Sequence, residues 1–217
     1  MRYFTRFGIA VFLAGFTVLL LAGCSSRRIT TAWKANTVFP TRYRQVLVVA
    51  ILPDKDSLLR KKAESELVAG LRELGYHAVS SLDRFGANGL SGLGEQQTYL
   101  TLCDAGIDVV LTLAPVPESS LSKSGPYRHP HSYYYDRIWN YKNLAAAPAT
   151  GQEPYYWESI LFDLSTLEAA LTLRTEPFAA DKLNKPAVWP AGRIIRAMVK
   201  EKALVKQPPQ PAAPRAF

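Results

Sequence analysis

The stretch Gln45-Val46-Leu47-Val48-Val49-Ala50-Ile51-Leu52 is apolar at every position after its first, and Arg44 and Pro53 close it off at either side. A strand with one wet face alternates apolar and polar side chains, whereas a run without a polar member has to be covered on both faces. Eight residues is a strand length, too short for an ordinary globular helix, and β-branched Val and Ile favour the pleated backbone. The segment therefore predicts a central strand of a sheet sandwiched between helices, the arrangement of a layered α/β domain.

The flanking sequence agrees. Leu59, Ala63, Leu67, Leu71 and Leu74 recur at three- and four-residue steps, with Arg60, Lys61, Lys62, Glu64, Glu66, Arg72 and Glu73 filling the other side. That is an amphipathic helix with a solvated charged face. Asp54 and Asp56 are N-cap candidates, and Gly75 is the C′ residue that ends it. His77 to Leu82 reads as the next strand, completing a βαβ unit whose crossover is expected to be right-handed. A glycine-rich loop at 86–94 leads to a helix from about 95 to 105. Gly106 breaks that helix, and Ile107 to Ala114 is a third buried strand.

Further on, Tyr155 to Leu164 and Leu167 to Thr175 form a hairpin pattern. Pro190 opens a last helix with Ile194, Ile195, Met198 and Val199 on one side. The expected fold is α/β, a layered domain with a mixed sheet: βαβαβ, then an antiparallel hairpin and a C-terminal helix. On this reading residues 45–205 form one domain. An insert over about 115–151, rich in Pro, Ser and Tyr, interrupts it, and its middle, Tyr133 to Tyr141, has the composition of a pairing strand. Residues 206–217 read as a disordered Pro/Ala-rich tail.

The amino terminus carries a different kind of information. Arg2 and Arg6 precede an apolar run from Ile9 to Leu21, with no acid in the first 23 residues. The run is shorter than the roughly 20 apolar residues a spanning helix needs, and its charged start and small-residue end are those of a signal peptide. It finishes Leu21-Ala22-Gly23-Cys24, which resembles the lipobox of bacterial lipoproteins at all four positions. The resemblance implies a diacylglycerol on the Cys24 thiol, cleavage before Cys24 and acylation of the new amine. Residues 1–23 are then the signal and residues 24–44 a tether. The partner so implied is a lipid bilayer, reached through acylated Cys24. An Asp after the Cys often retains such proteins in the inner membrane; Ser25 and Ser26 stand there instead, which favours the outer membrane.

Loss of Arg2 and Arg6 takes the formal charge from +8 to +6. A basic surface suits solubility or an anionic membrane or cell-wall polymer, and export argues against nucleic acid. Of two cysteines, lipid consumes Cys24, so Cys103 has no partner for an intramolecular disulfide. Its apolar surroundings predict a buried, inert thiol.

Familiar chemistries find little support. The loop 53–56 after the first strand has no glycine and two acids, and neither GxGxxG nor GK[ST] occurs, so no phosphate cradle is indicated. Ser91, in Gly89-Leu90-Ser91-Gly92-Leu93, lacks the second glycine of a nucleophile elbow. His129 and His131 are too few for a closed zinc site, with Asp136 the nearest acid. No catalytic residue, metal or cofactor is expected. The most distinctive feature is a crowd of rings: Tyr127, Tyr133, Tyr134, Tyr135, Trp139, Tyr141, Tyr155, Tyr156 and Trp157, interleaved with Arg128, Arg137 and Lys142. Such rings either close the core or form a platform for a glycan, peptide or protein. As a contact surface the candidates are Tyr133, Tyr134, Tyr135, Arg137, Trp139, Tyr141 and Trp157.

By layout the chain resembles a group of small, mostly uncharacterised bacterial envelope lipoproteins. The matching features are the lipobox, Trp33, the strand Val46 to Leu52, the helix end Leu71-Arg72-Glu73-Leu74-Gly75-Tyr76, Ser80-Ser81, the strand Asp108 to Leu113, and the hairpin Glu158 to Thr175. Their fold is similar to the amino-terminal domain of the Tol-system propeller protein, and they bring no catalytic residues. Two departures stand out. Ala169-Ala170-Leu171 replaces a stretch that often holds Trp, and the region 117–151 is longer and richer in Tyr. The resemblance implies a non-enzymatic binding or assembly module with an envelope protein or cell-wall partner. The alternative is a hydrolase of cell-wall glycan or peptide using Asp136, Glu153, Glu158 or Asp163, which would need two carboxylates about 5–10 Å apart.

Overall fold

The computed structural model describes residues 29–36, 38–52, 56–87, 90, 93–118, 153–183, 185 and 189–208. In chain order these form β1 (Ile29–Lys34), β2 (Gln45–Ala50), α1 (Ser57–Glu73), β3 (His77–Ser80), α2 (Ser81–Phe85), α3 (Glu95–Asp104), β4 (Val109–Pro117), β5 (Pro154–Asp163), β6 (Glu168–Thr175), β7 (Phe178–Ala179) and α4 (Ala191–Lys200). The sheet runs β1-β6-β5-β4-β2-β3, with β7 paired to the start of β5. β2 is parallel to both β3 and β4; β4–β5, β5–β6 and β1–β6 are antiparallel. The fold is the expected mixed-sheet α/β domain.

β2 shows why its sequence has no polar alternation. Val46, Val48 and Ala50 enter one core with Ala63, Leu67 and Leu71 of α1 and Ile194 and Met198 of α4. Leu47, Val49 and Ile51 enter a second core with Leu102 of α3, Ile107, Val110, Ile160 and Phe162. Both faces are dry, so each of the larger side chains, the Val, Leu, Ile, Met and Phe among them, contributes about 1.5–3 kcal/mol of burial free energy. α1 and α4 touch directly: a Cβ on Gly70 would come within 3.0 Å of the Ile195 side chain, so any larger residue there would require Ile195 to shift.

Several boundaries differ from the sequence expectation. β3 ends at Ser80 because the Ser80 side chain accepts the Asp83 N–H and caps α2. β4 continues to Pro117, pairing with β5 as far as Tyr155. The hairpin turn is held by Asp163, whose Oδ1 accepts the Ser165 N–H at 2.8 Å and the Ser165 hydroxyl at 2.6 Å, and Leu167 takes a left-handed φ of 57°.

The domain is also wider than 45–205. Within the expected tether, Ile29–Lys34 is an edge strand along β6, from Ile29 opposite Thr175 to Lys34 opposite Leu171. An edge strand needs few apolar residues, and its partner lies far along the chain, so local sequence does not announce it. Within the expected tail, Gln207 is 6% exposed. Its N–H donates to Leu74 O at 2.7 Å, and its side-chain oxygen accepts from Arg44 Nη1 at 2.8 Å. Gly75, with φ of 90°, packs against it where a Cβ would stand 3.0 Å from Gln207 Cβ. The C-terminal segment is thus strapped across the α1–β3 turn.

Candidate functional site

Parallel strands β2, β3 and β4 end at the same edge of the layered domain, here termed the upper end; β6 ends there too, and β1 and β5 begin there. Three groups of functional side chains gather toward it.

The first is built on Glu64. Residues 60 and 64 share one helical face, and that face turns toward the ends of β2 and β3. The Glu64 side chain is completely buried. Oε1 accepts the Ala50 N–H at 3.0 Å, the Ser81 hydroxyl at 2.8 Å and Arg60 Nε at 3.3 Å. Oε2 accepts the Ser80 hydroxyl at 2.6 Å and the Leu82 N–H at 3.0 Å. Arg60 also reaches the Ser81 hydroxyl and the Ala87 carbonyl, each at 3.2 Å. The sequence reading placed Glu64 on the solvated side of α1; the structure corrects that. A carboxylate so fully engaged and shut from water ties α1 to two strand ends and has no lone pair aimed at a substrate. The signal that marks it in the sequence is the pair Ser80-Ser81 together with Arg60 four residues before Glu64.

The second group lies on the other face of the sheet. Arg174 Nε donates to Glu158 Oε2 at 2.7 Å across the β5–β6 register, and Glu158 is buried. Next to it the Tyr156 hydroxyl donates to Glu118 Oε1 at 3.0 Å. Burial, then this hydrogen bond, push the Tyr156 hydroxyl pKa up.

The third group is aromatic. Trp157 stacks on Phe178 at 5.7 Å between centroids and meets Trp189 edge-on at 5.1 Å. Its exposure is 1%. Trp157 was a contact-surface candidate, and the structure places it in the core instead: on β5 it points to the face covered by α4, where Phe178 and Trp189 close over it. Tyr155 and Tyr156 are half-buried. Cys24, Tyr133, Tyr134, Tyr135, Arg137, Trp139 and Tyr141 lie outside the described residues, as do Ser91, His129, His131 and Asp136.

Of the carboxylates weighed for hydrolysis, Glu158 and Asp163 do not converge. Glu158 and Asp163 are five residues apart on β5, so they face opposite sides of the sheet and stand about 16 Å apart along the strand. Asp163 is occupied by its turn and by the Tyr43 hydroxyl, which donates to Oδ2 at 3.0 Å. Cys103 is exposed, against expectation. α3 packs inward through Thr98 and Leu102, and the next residue turns about 100° away from that line.

At the lower end, an open pocket of about 350 Å³ is lined by Arg72, Tyr76, His77, Lys206, Gln207 and Pro208, among others. Among the described residues no three His, Cys, Asp or Glu side chains are grouped to hold a metal ion, and no helix is long and apolar enough to cross a membrane.

No family model and no curated protein matches this chain. Among solved structures it is similar to the PelC dodecamer from Paraburkholderia phytofirmans, at 14% identity and a TM-score of 0.39 over 82% of this chain and 99% of that one. A point variant of the same dodecamer gives 15% identity and a TM-score of 0.39 over 80% and 98%.

Proposed function

We propose that the chain is a lipid-anchored envelope protein that acts by binding or assembly and performs no reaction of its own. The observation that carries this is Leu21-Ala22-Gly23-Cys24 at the end of a short apolar segment with a basic start. Three acyl chains hold a protein far beyond the marginal regime of a single chain, since each buried methylene adds about 0.8 kcal/mol. Ser25 and Ser26 favour the outer membrane over the inner. The domain supports a binding role because its described buried acids are already engaged: Glu64 and Glu158 each by an arginine, and Asp163 by Tyr43 and its own turn. A hydrolase of cell-wall glycan or peptide needs two carboxylates across one groove, and Glu158 and Asp163 do not supply them.

The test is on the anchor. Mass spectrometry of the amino-terminal peptide from membranes is expected to show acyl mass on Cys24, and Cys24→Ser is expected to leave an uncut, unacylated precursor. A mature chain that starts elsewhere and carries no acyl group would remove the reading. Crosslinking in intact cells then identifies the envelope protein or cell-wall partner.

A further inference from the structure

Resting on the anchored reading, we infer that the upper end of the sheet is the surface that faces the bilayer, with Leu58 as its lipid-contacting side chain. The argument begins with chain length. Five residue steps separate Cys24 from Ile29, the first residue of β1. Fully extended they span at most about 18 Å. β1 enters the sheet at the upper end, since Ile29 lies opposite Thr175, whose hydroxyl accepts the Trp157 N–H, and Trp157 lies opposite Pro115. If the tether doubled back along β1, it would be spent level with Lys34. The lower end extends past Lys34 through Phe39, Tyr43 and Gln207, so an anchor at Cys24 cannot bring that end onto lipid.

Leu58 supplies an independent observation. It is 84% exposed, far more than any other exposed large hydrophobic residue described. Its height can be read from two hydrogen-bonded registers. Ala50 is opposite Leu113, two residues short of Pro115, so Ile29 stands about 7 Å above Ala50. Glu64 is bonded to the Ala50 N–H, and Leu58 precedes it by six residues, about 9 Å up the helix axis. Ile29 and Leu58 therefore rise to nearly the same height, at opposite ends of the array β1-β6-β5-β4-β2, about 20 Å apart. A plane laid on the anchor exit also meets Leu58. Exposed Lys61 and Lys62 follow at i+3 and i+4, on the flank just below it. An apolar tip with ammonium groups one turn behind is the layout of a helix end seated at a headgroup layer.

Two consequences follow from this orientation. The β4 strand ends at Pro117 and β5 begins at Pro154, so both of these strand ends face the lipid side. The C-terminal strap, bound at Leu74, lies at the lower end and faces away from the membrane.

The experiment uses the full, lipidated chain carrying Cys103→Ser, so that an added cysteine is the sole free thiol. Leu58→Cys or Lys206→Cys is labelled with an environment-sensitive dye. The protein is reconstituted in phosphatidylethanolamine and phosphatidylglycerol vesicles that contain a headgroup nitroxide lipid, after mass spectrometry of the Cys24 peptide. With acyl mass present, the dye at 58 is expected to be quenched at least about twofold more than the dye at 206. Acyl mass with equal quenching, or with stronger quenching at 206, overturns the orientation and leaves the anchor standing. A chain without acyl mass overturns the anchored reading and the orientation with it.

Discussion

The Glu64 carboxylate accepts the backbone N–H of Ala50 at 3.0 Å, so a helix side chain takes over a hydrogen bond at the end of a strand fourteen residues earlier. The same carboxylate holds Ser80, Ser81, Leu82 and Arg60. One side chain therefore joins α1, the end of β2 and the start of α2.

Removing it should be costly. Glu64→Ala takes the shared acceptor away from five donors, including the charged Arg60. Loss of one partner of a buried ion pair costs about 3–5 kcal/mol. Glu64→Gln keeps one acceptor oxygen and should fall between wild type and alanine. Urea denaturation of the three proteins checks the order; equal midpoints for wild type and Glu64→Ala would show that the cluster adds nothing.

Tyr43 gives a pH prediction. Burial, then the neighbouring Asp163 charge, raise its hydroxyl pKa far above the ordinary 10.0. In the unfolded chain the group loses its proton near pH 10, while the folded chain keeps it, so above that pH the folded state binds more protons. Stability from this source is complete below about pH 10 and falls as pH rises beyond it. Tyr43→Phe should cost about 1.5–3 kcal/mol at neutral pH through the lost hydrogen bond to a carboxylate. It should also flatten the alkaline decline, which denaturation at about pH 9 and about pH 11 would measure.

Trp157 is expected to behave as core. Trp157→Ala should destabilise by about 3–5 kcal/mol. It should also remove the stacking partner of Phe178 and the edge partner of Trp189, changing the near-ultraviolet circular dichroism of the folded state. A thermal midpoint equal to wild type would contradict its burial.

Two leucines nine residues apart on α1 should respond oppositely. Leu67 is fully buried and Leu58 is exposed. Leu67→Asp should unfold the domain, since an unpaired buried charge costs several kcal/mol, about 5 or more. Leu58→Asp should stay within about 0.5 kcal/mol of wild type in detergent. Thermal melts of the pair test the assignment of the helix face.

The ring cluster between β4 and β5 has its own test. Tyr134→Ala combined with Trp139→Ala is expected to give a folded, lipidated and exported protein that loses crosslinks made by wild type. Buried rings would instead cost about 3–5 kcal/mol each. Melting temperature and crosslink pattern, read on one preparation, separate a core role from a contact role.

Much of the architecture was legible because it is written at short range. The unbroken apolar run at 46–52 specified a strand covered on both faces, and three- and four-residue spacing specified the inner face of α1 through Ala63, Leu67 and Leu71. Apolar strand patterns either side of a short polar turn specified the hairpin of β5 and β6. The candidate site was less legible. Trp157 shares a sequence neighbourhood with Tyr155 and Tyr156, yet strand alternation and the arrival of Phe178 and Trp189 put it inside. Glu64 looks like any charge on a solvated helix face until Ser80 and Ser81 are brought beside it.

By itself, then, the sequence determined the α/β class, the central strand, the helix faces and a lipobox-like segment, because each depends on periodicity or on a few adjacent residues. Tertiary structure alone decided that Ile29–Lys34 is a strand, that Gln207 is buried and that Glu64 is enclosed. Each of those outcomes rests on hydrogen bonds to partners distant in sequence: β6 for the edge strand, Leu74 and Arg44 for the strap, and two strand ends for the carboxylate. A polar group can be buried only where such partners converge, and no local pattern records where the chain will bring them together.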